Sequence, residues 1–258
     1  MQLKREVKMR PSEANRWLVC DGSSLMAACC EVRPVDNWHA AQGTTAHWLL
    51  EQCLKNNEDP RTYLGKAYTV EPEHDGQFPI TFNIDEDMIA AVEMFLSIVA
   101  EESADINHSE QTIAHPEMTY FGGTADYISY HRESRTLTVR DLKYGQSVVT
   151  ARKRDGSMNP QLMCYLLLAW TMYPLAKTFK VQVVQPRLKT KSKTREATVT
   201  MSEMIAFEKR VRAKHQLLVN AIETGIMPQV KDGGHCWYCP AKSTCPAARL
   251  AWCAKDFS

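Results

Sequence analysis

The sequence predicts an α/β fold in which a central mixed sheet is flanked by helices. Two runs rich in β-branched and aromatic residues, Tyr127–Tyr130 and Thr136–Leu142, are separated by the polar residues His131–Arg135, which is typical of a β-hairpin. Helix-capping residues and apolar residues at helical spacing occur on both sides of this hairpin in the chain. We therefore expect a sheet of four strands at Pro116–Phe121, Tyr127–Tyr130, Thr136–Leu142 and Phe179–Val184.

Five segments carry the signals of helices. The clearest follows Asp85, which can cap a helix whose apolar residues recur at helical spacing. A second start signal is Asn159 followed by Pro160, and the helix after it is apolar on nearly every face, so it should be buried. The remaining helices are predicted to begin at Ser12, near Gly43 and at Ser202, and the last of them to end near Thr224.

Composition limits the classes of protein to consider. The chain has 258 residues, is 44% hydrophobic and 24% charged, and carries a net charge of +1, so any nucleic-acid-binding surface must be local. It contains no apolar run long enough to span a membrane, and its first ten residues lack the apolar core of a signal peptide. Nine cysteines without a secretion signal indicate a reducing, cytoplasmic setting and a metal or cluster site.

The hairpin ends in a pattern that favours metal chemistry. Asp141 and Lys143 share one face of the second strand, with backbones roughly 6–7 Å apart, and Asp126 heads the first strand after a glycine pair. Carboxylates bind hard divalent cations, which polarise phosphate and activate water, and a lysine adds positive charge beside the reacting group. The alternative is an ordinary hairpin with solvated charges, since an Asp-x-Lys pattern is common.

Other polar residues could complete such a site. His47 lies four residues before Glu51 on one helix face, although an isolated histidine is often a satisfied core or surface residue. Gln161 and Tyr165 form a polar pair on the predicted buried helix, where polar groups need partners. Glu117 is either a further acidic site residue or a carboxylate at a strand edge.

Two basic segments could contact a DNA backbone. One is the loop with Arg152, Lys153 and Arg154, and the other is the run with Lys189, Lys191 and Lys193. Both could equally be solvated loop charges.

The most specific pattern is a cysteine cluster near the end of the sequence. Cys236, Cys239 and Cys245 follow a C-x2-C-x5-C spacing, flanked by glycine and proline, which indicates a metal or cluster site. Three thiolates are one short of a four-cysteine set, and Cys253 and Cys20 are a local and a distant candidate for the fourth. His235 could also join a zinc site, and the spacing alone does not separate zinc from iron–sulfur.

Taken together, these motifs resemble the RecB-type branch of the PD-(D/E)XK nuclease superfamily, in particular small phage-encoded members that carry an iron–sulfur cluster. The resemblance spans residues 12–246, and its one departure is Asp21, where the family commonly has proline after the first cysteine. The matching pieces, in chain order, are Ser12…Arg16-Trp17…Cys20, Gly43-Thr44…His47…Glu51, Gly123-Thr124-Ala125-Asp126, Asp141-Leu142-Lys143, Gln161…Tyr165 and Cys236…Cys239…Cys245.

The resemblance implies a role for each matching residue. It implies that His47, Asp126, Asp141 and the Leu142 carbonyl bind Mg²⁺ or Mn²⁺, that Lys143 positions the attacking water, and that Gln161 and Tyr165 order the site. It also implies a [4Fe-4S] cluster on Cys20, Cys236, Cys239 and Cys245, with zinc as the alternative. The remaining cysteines are then ordinary thiols: Cys29, Cys30, Cys53, Cys164 and Cys253.

The fold and function implied by the resemblance are those of a metal-dependent DNA exonuclease with a restriction-endonuclease-like core. We expect one nuclease domain over residues 1–258, in which N-terminal helices (about 11–55) and the tail (about 226–258) are joined at the cluster. Phage recombination or DNA processing in a host cytoplasm, with a recombination or single-strand-annealing partner protein, would be the setting. Two alternatives are a DNA-binding or scaffold protein that does not cleave and a zinc-stabilised regulator.

Overall fold

A computed structural model describes residues 3–30, 38–71 and 78–248. The chain forms two compact units, each assembled from separate segments. The thiol unit comprises Met1–Arg33, Ile113–Gly123 and Ser202–Ser258, and the sheet unit comprises Pro34–Thr112 and Thr124–Met201. The expectation of a single domain with its two ends joined by a cluster stays a prediction.

The strands form two sheets. Both sheets lie in the sheet unit, except that strand residues 113–114 and 122–123 belong to the thiol unit. The bounds are β1 Ala67–Val70, β2 Ile80–Asn83, β3 Ile106–Ala114, β4 Gly122–His131, β5 Thr136–Leu142, β6 Thr178–Val184 and β7 Thr194–Val199. A small antiparallel sheet pairs β1 with β2, and a five-stranded sheet has the order β3-β4-β5-β6-β7. Because β5 and β6 are parallel whereas β4–β5 and β6–β7 are antiparallel, the sheet is mixed, as predicted.

Six α-helices occur in the described residues: α1 Ala14–Trp17, α2 Ser23–Cys29, α3 Trp38–Asn56, α4 Glu86–Ala100, α5 Pro160–Met172 and α6 Met201–Thr224. The Asp85 side chain caps α4 by accepting a hydrogen bond from the Met88 N–H (2.8 Å), and Asn159 caps α5 through the Gln161 N–H (3.0 Å). The run Leu162–Ala169 of α5 is fully buried, as its uniform hydrophobicity predicts. None of these described helices has the length and hydrophobicity needed to cross a bilayer.

One predicted strand is wrong. The segment Pro116–Phe121 is a turn joined to β4, and the strand that pairs with β4 is β3, which begins ten residues earlier at Ile106. β3 is an edge strand with mostly half-exposed, polar residues, so it lacks the apolar alternation that reveals a strand covered on one face. Glu117 lies in this turn and pairs with Arg212 of α6 at 2.7 Å, both in the thiol unit.

The thiol unit is held by contacts between segments that are far apart in sequence. Trp17 packs edge-on against Phe121, with ring centroids 6.2 Å apart, and its indole N–H donates to the Arg10 carbonyl at 2.9 Å. Lys214 of α6 bonds Asp21. The segment ending near Val230 closes over Gly22, whose N–H donates to the Gln229 carbonyl at 3.1 Å. These contacts bring Cys20 to the segment that carries the later cysteines.

Candidate metal centre and thiol site

The hairpin places the two predicted aspartates side by side. Tyr127 of β4 pairs with Arg140 of β5, so one step further along the ladder Asp126 lies next to Asp141. Both aspartates are buried, with exposed fractions of 6% and 1%. The N–H of Leu142 donates to Asp126 Oδ2 at 2.6 Å, which fixes the carboxylate at the end of the hairpin.

His47 reaches the same place from α3. Its Nδ1 lies 3.3 Å from Asp126 Oδ1. Ligand atoms of His47, Glu110 and Asp126 lie within 4.8 Å of one another, the spacing of groups that can share a metal ion. Burial disfavours the charged imidazolium, but the adjacent Asp126 carboxylate outweighs it and raises the pKa of His47 to about 9.

Glu110 is the site residue that the sequence did not reveal. It lies on the edge strand β3, where no motif marks it, and its φ of 45° is in the left-handed region, which is uncommon for glutamate within a strand. Its Oε1 is buried and makes no hydrogen bond to any described residue. Burial and the nearby Asp126 charge raise the pKa of Glu110 to about 8. A buried carboxylate oxygen without a partner, beside an aspartate and a histidine, fits a cation ligand.

Lys143 and Asp141 form an ion pair beside this group. Lys143 Nζ lies 2.9 Å from Asp141 Oδ2, and burial would lower the pKa of Lys143, but Asp141 and Asp126 raise it, so the lysine stays charged. Gln161 Nε2 lies 3.4 Å from both Asp141 Oδ1 and the Tyr165 hydroxyl. The pair predicted on the buried helix α5 therefore contacts the aspartate through its glutamine.

The two aspartates differ in their electrostatic surroundings. Burial acts to raise the pKa of both, but the ion pair with His47 lowers the pKa of Asp126 overall. The pKa of Asp141 is raised, because burial and the Asp126 charge together outweigh the attraction of Lys143. Added positive charge would relieve this repulsion between carboxylates, which is a second reason why the group suits a cation.

The basic residues proposed as DNA contacts fall into two sets. Arg152 and Lys193 make hydrogen bonds within the protein: Arg152 donates to the Gly156 and Thr198 carbonyls at 2.9 Å each, and Lys193 donates to the Leu188 carbonyl. The other four are exposed: Lys153, Arg154, Lys189 and Lys191. Arg152 also ties its loop to β7 through the Thr198 carbonyl.

In the thiol unit, four cysteines line one pocket. Cys20, Cys236, Cys239 and Cys245 line this small pocket together. The N–H of Lys231 donates to Cys20 Sγ at 3.3 Å. Burial raises the pKa of the Cys20 thiol, and that N–H opposes the rise because it stabilises a thiolate. The pocket thus has four sulfur donors, one of which is already hydrogen-bonded as a thiolate would be.

The other cysteines are placed in different surroundings. Cys30 packs in the apolar cluster that contains Cys245, and its Sγ lies 2.9 Å from Thr244 Oγ1. His235 also lines the pocket, with Nε2 3.6 Å from Cys236 Sγ. Cys53 and Cys164 are buried in the sheet unit, Cys29 is half-buried on α2, and Cys253 lies outside the described residues.

Comparison with known proteins identifies the family. Residues 7–256 match the model of a family described as "Protein of unknown function (DUF2800)". The chain belongs to this family. The match covers both units, so the sheet with its carboxylates and the segment with its cysteines are parts of one family architecture.

Two solved structures show partial similarity. A putative exonuclease from Eubacterium rectale is 9% identical, with a TM-score of 0.46 over 95% of this chain and 88% of that one. An alkaline exonuclease from Laribacter hongkongensis is 15% identical, with a TM-score of 0.36 over 51% of this chain and 66% of that one. Both solved proteins are described as exonucleases, and that description applies to those two proteins.

The role of Glu110 can be tested by a nearly isosteric change. Glu110→Gln removes a carboxyl group that a bound cation would ionise beside His47 and Asp126, so the affinity for Mn²⁺ should fall by about tenfold or more. Isothermal titration with Mn²⁺ measures this affinity. Glu117→Gln is the matched control, because Glu117 is exposed and pairs with Arg212 in the thiol unit. Equal affinity of both variants would remove Glu110 from the site.

Proposed function

We propose that this protein is a metal-dependent DNA nuclease of the RecB-type PD-(D/E)XK superfamily, acting as an exonuclease on phosphodiester bonds. The observation that carries the proposal is the convergence of His47, Glu110 and Asp126 next to the Asp141–Lys143 ion pair. A cluster of oxygen and imidazole donors beside a half-buried, charged lysine is suited to hydrolysing a substrate that is itself an anion.

The metal ligands would be His47, Glu110, Asp126, Asp141 and the Leu142 carbonyl, with Mg²⁺ or Mn²⁺ as the ion. When bound, such a cation polarises the phosphate and lowers the pKa of water. Asp126 is held for this role by the Leu142 N–H, and Asp141 by Lys143 and Gln161. The carboxylates are therefore oriented before any ion or substrate arrives, so binding loses little side-chain entropy.

Lys143 supplies fixed positive charge at the reacting phosphate. Its ammonium is half-buried and held by Asp141, so it can face the phosphate without moving far. Gln161 bridges Asp141 and Tyr165, and in this way α5 fixes the position of the aspartate. The four exposed basic residues of the two basic segments would contact the DNA backbone at a distance from the site.

The thiol pocket is proposed to hold a [4Fe-4S] cluster. Cys20 lines the pocket together with Cys236, Cys239 and Cys245, which supports it as the fourth ligand beside the three later cysteines. Four thiolates can bind either an iron–sulfur cluster or a zinc ion, and zinc is the alternative.

The biological role proposed is phage recombination or DNA processing, with a recombination or annealing protein as partner. The alternative is a protein of the same fold that binds DNA without cleaving it. A scaffold that only binds DNA has no need of two buried aspartates that repel each other, Asp126 and Asp141, beside Lys143. The set therefore favours the enzyme.

The direct test is cleavage of end-labelled linear DNA and closed circular DNA with and without Mn²⁺. We expect metal-dependent degradation of the linear DNA alone. Cleavage of circles would establish an endonuclease instead. Binding of DNA without any cleavage under these conditions would favour the scaffold alternative.

A lysine substitution separates chemistry from binding. Lys143→Ala removes one charge from the transition state and should lower the rate of cleavage by about 10²–10³-fold, with little change in the affinity for DNA. Single-turnover rates and equilibrium binding of the same DNA measure the two effects. A defect confined to affinity would make Lys143 a binding residue.

A further inference from the structure

The segment that follows Lys143 is an exposed loop with an unusual support. Gly145–Val149 leaves the end of β5 as irregular backbone, and its first four residues are exposed, including 58% of Val148. The loop leads towards Pro160, where α5 begins. It therefore connects the strand that carries Asp141 to the helix that carries Gln161.

A fully buried glutamine holds this loop from beneath. Gln185 follows β6, has no exposed surface, and uses its whole amide on the loop backbone. Its Oε1 accepts from the Val149 N–H at 2.8 Å, and its Nε2 donates to the carbonyls of Gly145 (3.1 Å) and Ser147 (2.8 Å). Three hydrogen bonds from one buried side chain fix five residues that have no regular secondary structure.

A second amide fixes the far end of the same connection. Asn159 Nδ2 donates to the Thr150 carbonyl at 3.2 Å, and the Asn159 N–H donates to the Ala151 carbonyl at 2.9 Å. The same side chain caps α5 through the Gln161 N–H. The backbone between Lys143 and Gln161 is thus held near both ends by side-chain amides, those of Gln185 and Asn159.

The loop occupies the edge of the sheet where ligands commonly bind. β5 and β6 are parallel, so Lys143 and Gln185 both follow strands at the same carboxyl edge, where Lys143 N–H donates to the Val184 carbonyl at 2.8 Å. Exposed loops are usually mobile, and a buried polar side chain must be fully hydrogen-bonded to avoid a penalty. An exposed segment that is fixed at this position is suited to a role that needs a defined shape.

We propose that Gly145–Val149 is a binding segment for the nucleic acid strand next to the scissile phosphate, and that Gln185 is the positioning residue that fixes it. The proposal rests on the proposed nuclease function. The exposed polar backbone and side chains of Gly145–Ser147 contact the sugar–phosphate chain, and Val148 packs against a sugar or base. Arg187, which lies over the Tyr144 ring at 4.5 Å, adds positive charge beside the segment.

A charge placed on the segment tests the contact. Val148→Glu should weaken binding of a labelled oligonucleotide by about tenfold or more, because the new carboxylate repels the phosphates. Leu175→Glu is the matched control: Leu175 is 69% exposed in the same unit, in the turn before β6 and hence at the amino end of that strand. Fluorescence anisotropy in EDTA measures binding without cleavage. Equal affinity of both variants would overturn the proposal.

A substitution of Gln185 tests the support. Gln185→Glu keeps the acceptor for the Val149 N–H and loses both donors to the Gly145 and Ser147 carbonyls. We expect protease cleavage within Gly145–Val149, weaker oligonucleotide binding and an unchanged affinity for Mn²⁺. An intact loop with wild-type binding would overturn the positioning role.

The outcomes separate this proposal from the nuclease assignment. Wild-type protein that cleaves linear DNA, together with a Val148→Glu variant that binds normally, would overturn the binding segment alone. Wild-type protein that neither binds nor cleaves DNA would overturn both. Weak binding by Val148→Glu supports the segment whether or not the wild type cleaves.

Discussion

Replacing Asp141 with asparagine is expected to reduce metal-dependent cleavage of linear DNA by at least about 10³-fold. The change keeps the shape of the side chain and its contact with Gln161 but removes the charge that faces Lys143 and neighbours Asp126. Loss of an anionic ligand affects both the bound cation and the orientation of the lysine, so the effect should exceed the 10²–10³-fold typical of one electrostatic contact. Cleavage rates at saturating Mn²⁺ measure it.

The fold should survive this change. The pKa of Asp141 is raised in the fold, so its negative charge does not stabilise the folded state, and the melting temperature should move by only a few degrees. Asp155→Asn is a suitable control, because Asp155 is an exposed carboxylate of the basic loop that accepts hydrogen bonds from the neighbouring Ser157. Wild-type cleavage by the Asp141→Asn protein would show that the site has been wrongly assigned.

Replacing Cys20 with alanine is expected to remove iron and destabilise the thiol unit together. Cys20 lies more than two hundred residues before Cys236 in the chain, yet both line one pocket, so a shared cluster would tie the N-terminal helices to the later segment. Closing so long a loop constrains the unfolded chain, and binding free energy at such sites is also folding free energy. Anaerobically purified wild-type protein should be brown and contain iron, and the variant should be colourless and melt at a lower temperature.

Three outcomes discriminate the alternatives at this site. Cys29→Ala, on α2 of the same unit, should keep its iron because Cys29 does not line the pocket. Colourless, zinc-loaded wild-type protein would replace the cluster with a zinc site and leave the nuclease proposal intact. Full iron in Cys20→Ala together with its loss in Cys253→Ala would move the fourth ligand to the local candidate.

The sequence predicts the hairpin and its aspartates because local rules determine them. Strand parity puts Asp141 and Lys143 on one face, and the glycine pair marks the start of the strand with Asp126. Helical spacing likewise puts Gln161 and Tyr165 on one face of α5, and their contact with each other is found in the structure. Each of these inferences needed only a short stretch of chain.

Features that depend on distant pairing could not be predicted in the same way. Glu110 becomes a site residue only because the polar strand β3 pairs with β4, and its own segment has no pattern to distinguish it from a loop. The internal hydrogen bonds of Arg152 depend on the approach of its loop to β7, which charge alone does not reveal. Gln185 is similar, since nothing in its local sequence predicts that it is buried beneath another loop.

The division of the chain into interleaved segments has a consequence for synthesis. The sheet unit is complete once residue 201 has been made, whereas the thiol unit still requires its third segment, from Ser202 onward. Because chains fold from the N-terminus as they are made, the carboxylate group can assemble first. Cys20 is made early, but the cysteines that share its pocket are made near the end of synthesis. A nascent chain would therefore hold a folded sheet unit before its thiol pocket exists, and any metal or cluster bound by that pocket would be inserted late.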